Sequence, residues 1–268
     1  MSQLSSVQPG ASAPENYERF FVPAVAAPLA LELLKAATLR RGERVLDLAC
    51  GTGVLARQAA EQVGVGGKVA AVDVNPGMLA VARASVPSQS GVQWQAASAE
   101  SLPFTARAFD VAVCQFGLQF FPDKVSALRE VRRVLADDGR LVLNVPGPTP
   151  AIFAVMEEEL ERHVGPQAAS FVRAVFSLCD TAEIRELLHE AGFGTASVRS
   201  KDVRLLLPRP AVFLWEYLLS TPLADAVAGA DDDQRVSLEH SVTERWKPLT
   251  NQRRLVLDLG VTTAVARA

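Results

Sequence analysis

"VLDLACGTGVLA", residues 45–56, decides how the rest of the chain is read. A short apolar run enters a glycine turn, and the residues after the turn carry helical periodicity. Read from Gly51 the stretch is Gly-Thr-Gly-Val-Leu-Ala, which satisfies the pattern G-x-G-x-x-G/A. Asp73 stands about twenty residues further on, where that dinucleotide fingerprint places an acid.

The glycines alone do not separate one nucleotide-type ligand from another, because any of them lying across the strand end needs a tight turn and close backbone approach. Asp47 does. It is an acid inside the first strand, four positions before Gly51, and a carboxylate there repels a pyrophosphate docking on the following helix N-terminus. An NAD-dependent oxidoreductase also wants a third glycine and an uncharged first strand, and neither is present. S-adenosylmethionine has the opposite polarity. Its methionine part carries an ammonium and a sulfonium, which favour a carboxylate at this turn. Asp73, at the end of the second strand, supplies an acceptor-only group for both ribose hydroxyls.

Working outward, short apolar runs alternate with amphipathic helices: "RVLDLA" then 53–63, "KVAAVDV" then 76–86, "VQWQAA", "FDVAVCQF" then 123–136, and "RLVLNV". That alternation predicts an α/β fold with a mainly parallel sheet covered on both faces. Asn75-Pro76 predicts a capped helix start, and Gly139 a helix stop after "VSALREVRRVLADD". Asp180, with Ile184, Leu187, Leu188 and Ala191 on one face and Gly192 after them, predicts another helix. "NYERFFVPAVAAPLALELLKAA" reads as helical but broken at Pro23 and Pro28. Residues 1 to about 15 read as a flexible leader. Segments of about 150–178 and 210–248 are helical additions that a compact α/β core does not need, and with the N-terminal helix they form the expected lid. Closing strands are expected at about 195–207 and 254–267.

Composition excludes several classes. The 268 residues are 49% hydrophobic and 21% charged with net charge −3, an ordinary globular balance with no basic stripe for nucleic acid. Cys50, Cys114 and Cys179 lack metal or disulfide spacing, which suits a reducing cytoplasm. No signal peptide or membrane span is expected.

"VLDLACGTG", "VAAVDVNPGMLAVAR", "AASAESLPFTARAFDVAVCQFGLQFFPD" and "ALREVRRVLADDGRLVLNV" occur in the order and at the spacing of class I S-adenosylmethionine-dependent methyltransferases. The chain most resembles the branch of ubiquinone and menaquinone C-methyltransferases and related small-molecule enzymes, over about residues 40–146. The resemblance implies a Rossmann-like seven-stranded sheet ordered 3-2-1-4-5-7-6 with the last strand antiparallel, within one domain over 16–268 whose core spans about 40–148. It implies S-adenosyl-L-methionine as cofactor, with S-adenosyl-L-homocysteine as product. Asp47, Gly51 and Gly53, with backbone from Ala49 and Cys50, would form the methionine-side loop. Asp73 would hold the ribose, Val74 would line the cofactor site, Met78 would pack on the adenine, core filling of its helix being the alternative, and Ala99 and Glu100 would lie at the adenine edge. Ser98 stands where the family usually has Asp and would accept a weaker hydrogen bond. Gln115 would border cofactor and acceptor, with Phe116 and Gln119 on the acceptor. Tyr17 would close on the cofactor and Phe21 on the acceptor, helix packing being the alternative for both. Phe120 and Phe121 are expected in the core.

Methyl transfer from a sulfonium is an in-line displacement that needs alignment and a dry pocket more than a catalytic side chain. Should the acceptor need a base, His163 and His240 are the candidates, and His189 is expected to be structural. The expected activity is methyl transfer to a small, apolar or aromatic acceptor through O, N or C. The alternative of another class is a silent cofactor-binding or regulatory protein on the same fold.

Overall fold

The computed structural model describes residues 12–86 and 91–268, so residues 1–11 of the expected leader lie outside the described residues. The chain divides into two compact units. A sheet unit comprises Ala27–Gly147, Leu178–Lys201 and Val261–Ala268. A helical unit comprises the described part of 1–26 with Pro148–Ser177 and Asp202–Gly260. Residues 150–177 and 210–248 and the start of the N-terminal helix, up to Ala26, fall in the helical unit, while the rest of that helix, Ala27–Ala37, belongs to the sheet unit.

The sheet unit is built from β1 (Arg44–Leu48), β2 (Lys68–Asp73), β3 (Val92–Ala96), β4 (Phe109–Gln115) and β5 (Leu135–Pro146), all mutually parallel, closed by the first part of β6 (Thr195–Leu206), up to Lys201, and the last part of β8 (Arg254–Arg267), from Val261. β8 runs antiparallel to β5, from Arg140 opposite Arg267 to Pro146 opposite Val261. The order is β3-β2-β1-β4-β5-β8-β6. A two-residue strand, β7 (Thr250–Asn251), pairs with β8 in the helical unit. Without it the long strands follow the expected 3-2-1-4-5-7-6 order. The five parallel strands end along one edge, where ligands of open α/β sheets bind.

Alternation along the strands serves two cores. Val45, Val69, Ala71, Val111 and Val113 face α2 (Ala27–Ala37), α3 (Val54–Val63) and α4 (Pro76–Ala84). Leu46, Leu48, Ala112 and Leu143 face α5 (Lys124–Val134) and α8 (Thr181–Glu190). Helix punctuation explains most boundaries. Asn75 Oδ1 accepts from the amides of Gly77 and Met78 at 2.9 and 3.3 Å, and Asp180 Oδ1 from Ala182 at 2.8 Å.

Two boundaries differ from the sequence reading. The helix expected to run to 136 ends at Val134, and the chain passes straight into β5 with a register shift opposite Phe109–Val111. Gly139 therefore serves the bulge rather than a helix stop: a Cβ there would stand 2.8 Å from the Ala136 carbonyl oxygen. The N-terminal helix is not broken at its prolines either. Ser12 caps α1 (Ala13–Asn16), inside the expected leader, and the chain continues through a π-helical stretch, Tyr17–Ala26, directly into α2. Pro23 lies inside the wider π turns, where the α ladder that its missing N–H would interrupt is absent. This helix, Ala13–Ala37, is long and apolar enough to cross a membrane by length and composition, with mean hydropathy 1.6, although 44% of that stretch is already buried inside the protein.

The helical unit packs α6 (Ala151–His163), α7 (Pro166–Val175), α9 (Pro210–Leu219), α10 (Leu223–Ala228) and α11 (Asp232–Trp246) around an aromatic interior. Phe153 lies 5.1 Å from both Phe176 and Tyr217, and Phe213 6.0 Å from Trp246, centroid to centroid. The Trp246 indole N–H donates to the Ile152 carbonyl at 2.9 Å. Asn16 Nδ2 donates to the Leu219 carbonyl at 3.2 Å, fastening α1 to the end of α9.

Candidate cofactor site

The site in the sheet unit begins where β1 ends. Ala49, Gly51 and Gly53 all adopt positive φ, at 55°, 54° and 84°. Gly53 caps α3 in the left-handed region, its amide donating to the Cys50 carbonyl at 2.9 Å. The same conformation costs a non-glycine residue energy. Ala49 carries that cost, and so does Phe116 at 52° after β4. These two strained residues flank a close approach: a Cβ on Gly117 would stand 2.7 Å from Ala49 Cβ and 2.9 Å from Cys114 Sγ. Phe116 is held by Asn144, whose carbonyl and side-chain oxygens accept from its amide at 3.0 and 3.2 Å.

Asp47 points under this loop. It is 1% exposed, and its Oδ2 has no hydrogen-bond partner in the protein. Burial pushes its carboxyl well above the ordinary range, opposed by a hydrogen bond from the Ala56 amide and reinforced by the charge of Asp73. The neighbouring thiols follow: Cys50 and Cys114 are both raised by burial, with Asp47 and Asp73 adding to it, Cys114 to about 12. A buried carboxyl oxygen without a protein partner fits a cationic donor such as an ammonium.

Asp73 is already employed. Its Oδ2 accepts from the Gly51 amide at 2.8 Å and its Oδ1 from the Asn75 amide at 2.8 Å. It holds the glycine loop to the end of β2 and keeps one lone-pair direction free on each oxygen, enough for two hydroxyl donors. Beyond it, Val74 is 70% exposed and Met78 half-buried, while Leu79 takes the core position of α4. Met78 is therefore not the core filler of its helix.

The stretch after β3 differs from expectation in its bonding. The Ser98 hydroxyl donates to Glu100 Oε2 and accepts from the Glu100 amide at 3.3 Å. The Ser98 hydrogen bond holds the Glu100 carboxyl below its usual range. Ser98 is thus turned to its own neighbour, and the charged acceptor of this stretch is Glu100. Ala99 is buried beneath it.

After β4, Gln115 is half-buried at the strand end and Phe116 half-buried beside it. Gln119 is 5% exposed, and neither its Oε1 nor its Nε2 has a partner in the protein. Phe121 packs partly buried on the core as expected. Phe120 does not: it is 46% exposed, because the 3-10 turn Leu118–Phe120 turns Leu118 and Gln119 inward and leaves the third side chain outside.

The remaining expected residues lie in the helical unit. Tyr17 and Phe21 stack at 4.9 Å, and Phe21 lies 6.0 Å from Tyr217, so both have aromatic packing partners there. His163 Nε2 stands 3.4 Å from Glu159 Oε2 and 3.3 Å from Ser241 Oγ. His240 and His189 are exposed on α11 and α8.

Sequence reasoning did not single out three features. Thr52 is 1% exposed with an unpartnered hydroxyl inside the glycine loop. Asn144 locks Phe116. Trp94 lies against Gly53. Only the first had a local signal, its place between two glycines.

A parallel sheet of this order, closed by an antiparallel strand and carrying a glycine loop between an acid in β1 and an acid ending β2, defines a class I S-adenosylmethionine-dependent methyltransferase. The chain belongs to the ubiE/COQ5 methyltransferase family, whose model matches residues 31–203. It is 39% identical over 138 residues to the ubiquinone/menaquinone biosynthesis C-methyltransferase UbiE of Serratia proteamaculans, covering 50% of this chain and 55% of that protein. It thus spans about half the length of that curated relative. It is 30% identical over 180 residues to a demethylmenaquinone methyltransferase of Staphylococcus aureus, covering 63% and 75% of the two chains. Among solved structures it resembles phosphoethanolamine N-methyltransferase 2 of Haemonchus contortus, with TM-score 0.62 and 19% identity over 97% of this chain and 59% of that one. At that identity the likeness is one of fold.

Proposed function

We propose that this protein transfers a methyl group from S-adenosylmethionine to a small neutral acceptor of aromatic or quinol type. The observation that carries the reading is the buried, unpartnered Oδ2 of Asp47 beneath a loop of left-handed residues. A dinucleotide pyrophosphate is repelled there, and an α-ammonium is the group that completes it. When bound, S-adenosylmethionine supplies an electrophilic methyl group on a sulfonium.

The chain's own residues bind and align. Asp47 accepts from the ammonium, and the backbone of Ala49, Cys50, Gly51 and Gly53 lets the ligand lie close to the loop. Asp73 accepts from the ribose hydroxyls while keeping Gly51 in place. Val74, Met78, Ala99, Ser98 and Glu100 border the adenine, Glu100 as the charged acceptor. Gln115 stands between cofactor and acceptor. Phe116 and the buried carboxamide of Gln119 face the acceptor, and a neutral amide with neither its oxygen nor its NH2 group partnered in the protein suits a neutral hydroxyl or carbonyl partner better than a phosphate. The names of the relatives, a ubiquinone/menaquinone biosynthesis C-methyltransferase and a demethylmenaquinone methyltransferase, support a quinol ring. No base is assigned: His163 is engaged by Glu159 and Ser241, and alignment with exclusion of water suffices for displacement at a sulfonium.

The test is calorimetric titration of the purified protein with S-adenosylmethionine, S-adenosylhomocysteine and NAD, followed by turnover assays with reduced demethylmenaquinone and with phosphoethanolamine. Binding of the first two ligands, silence from NAD and methylation of the quinol alone are expected. Binding of NAD, or methylation of phosphoethanolamine alone, overturns the reading.

A further inference from the structure

Gly53 has two reasons to be glycine, and only one lies in its own backbone. Its φ of 84° is the first. The second is Trp94. A Cβ built on Gly53 would stand 2.5 Å from Trp94 Cζ3, closer still to Cη2, and 3.4 Å from Ala82 Cβ. The far edge of the indole occupies the space of the missing side chain.

The sheet register explains how a residue of β3 reaches a loop that follows β1. Trp94 pairs with Ala71 of β2, and Ala71 pairs with Asp47 of β1. In-register residues of parallel strands share a face. Trp94 and Asp47 therefore lie in one row beneath α3, separated by the smallest side chain that keeps a Cβ. With Ala71 between them, the large ring extends over the row toward the helix start. The strand that carries the ring is tied to α4, since Arg83 donates to the Trp94 backbone carbonyl at 3.3 Å.

We infer that Trp94 is a positioning residue for the cofactor: its ring, seated where Gly53 lacks a side chain, sets the height of the first turn of α3 above the sheet and with it the distance from the loop amides to Asp47. The inference rests on the cofactor reading of the loop. It assigns Trp94 no contact with the cofactor and no chemistry. It also makes a pair of two residues 41 positions apart, glycine and tryptophan, that neither alone explains.

The test is a double-mutant cycle on the full chain, read by calorimetric titration with S-adenosylhomocysteine, with circular dichroism to verify each fold. Trp94→Ala is expected to weaken binding about tenfold and Gly53→Ala more than about tenfold, with the cost of Gly53→Ala falling at least about threefold once the ring is gone. The reason is that the clash disappears and only the backbone strain remains. Trp94→Phe, whose shorter ring keeps the β3 packing without reaching Gly53, replaces Trp94→Ala in the cycle if the smaller residue does not fold. Fluorescence gives a second readout. Trp215 and Trp246 are buried with their indole N–H groups bonded to Glu239 and Ile152, so the emission change on adding S-adenosylhomocysteine should be largely lost in Trp94→Phe.

A merely structural tryptophan would lower the melting temperature and leave affinity and additivity untouched. Variants that bind within about twofold of the parent, or costs that simply add, overturn the inference while the cofactor reading stands. A parent protein that does not bind S-adenosylhomocysteine removes both.

Discussion

Among the described residues two carboxylates are 1% exposed, and their surroundings are opposite. Glu159, in the helical unit, is held by two guanidinium groups, Arg162 at 3.2 Å and Arg245 at 2.8 Å, with the His163 ring at 3.4 Å and Arg245 also reaching Glu158 at 2.7 Å. Asp47, in the sheet unit, has an amide hydrogen bond from Ala56, a second carboxylate for a neighbour and one oxygen with nothing. Glu159 is completed by the fold. Asp47 is left for a ligand to complete. Burying a charge costs several kcal/mol unless it is paired, so an unpaired buried carboxylate persists only where something else uses it.

The largest effect expected from this contrast is on stability in the helical unit. Glu159→Ala removes the common partner of two guanidinium groups and an imidazole, and breaking such a cluster should cost about 2–4 kcal/mol, discounted because Arg162 and Arg245 regain water. The melting temperature of the ligand-free protein should fall by on the order of 10 °C. A fall of less than about 2 °C would mean that the network is surface decoration, and the contrast with Asp47 would lose one side.

Asp47→Asn should act in the other direction on stability and more strongly on binding. Loss of a charge-assisted bond to the ammonium should weaken S-adenosylhomocysteine binding tenfold or more, about 1.5–3 kcal/mol. The ligand-free protein should melt about 2–4 °C higher, because a buried charge becomes a neutral amide. The pH dependence separates the two. The folded carboxyl is raised above its unfolded value, so stability from this group is present at low pH and lost as pH rises through the raised value. Cofactor affinity has the opposite trend, since the ammonium needs the ionised form. Asp73, Cys50 and Cys114 are the other titratable groups around it. Affinity that rises with pH in the parent and stays flat in Asp47→Asn is expected, and parallel curves would show that Asp47 does not meet the ammonium.

The sheet and the loop were legible because their signals are local. Each strand announces itself as a short apolar run, and Gly51 and Gly53 mark the left-handed turn after β1. The features that escaped are made by residues distant in sequence. Trp94 reaches Gly53 across two strands, and Arg245 completes Glu159 from 86 positions away, although Arg162 and His163 were readable at helical spacing. Pro23 misled for a different reason: proline breaks an α-helix, and the segment is π-helical. Phe120 misled because hydrophobicity states a preference for burial while the 3-10 turn decides which side chain receives it.

Glu100 stands between the two extremes and gives the smallest and sharpest prediction. It is a half-buried carboxylate completed by one hydroxyl, that of Ser98, and by the Asp123 amide at 3.5 Å. If Ser98 replaced the family's aspartate as a direct adenine acceptor, Ser98→Asp should restore the family pattern and tighten binding. The bonding argues otherwise. The hydroxyl is spent on Glu100, and that bond keeps the Glu100 carboxyl ionised. Ser98→Asp would set a second carboxylate against it and weaken binding, whereas Ser98→Ala would only loosen Glu100, at a cost of about threefold in affinity for S-adenosylhomocysteine. Glu100→Gln should cost more than Ser98→Ala, because it removes the charge rather than its support. Titration of the three variants orders them, and tighter binding by Ser98→Asp would return the adenine contact to position 98 and leave Glu100 as a residue that the fold completes, like Glu159.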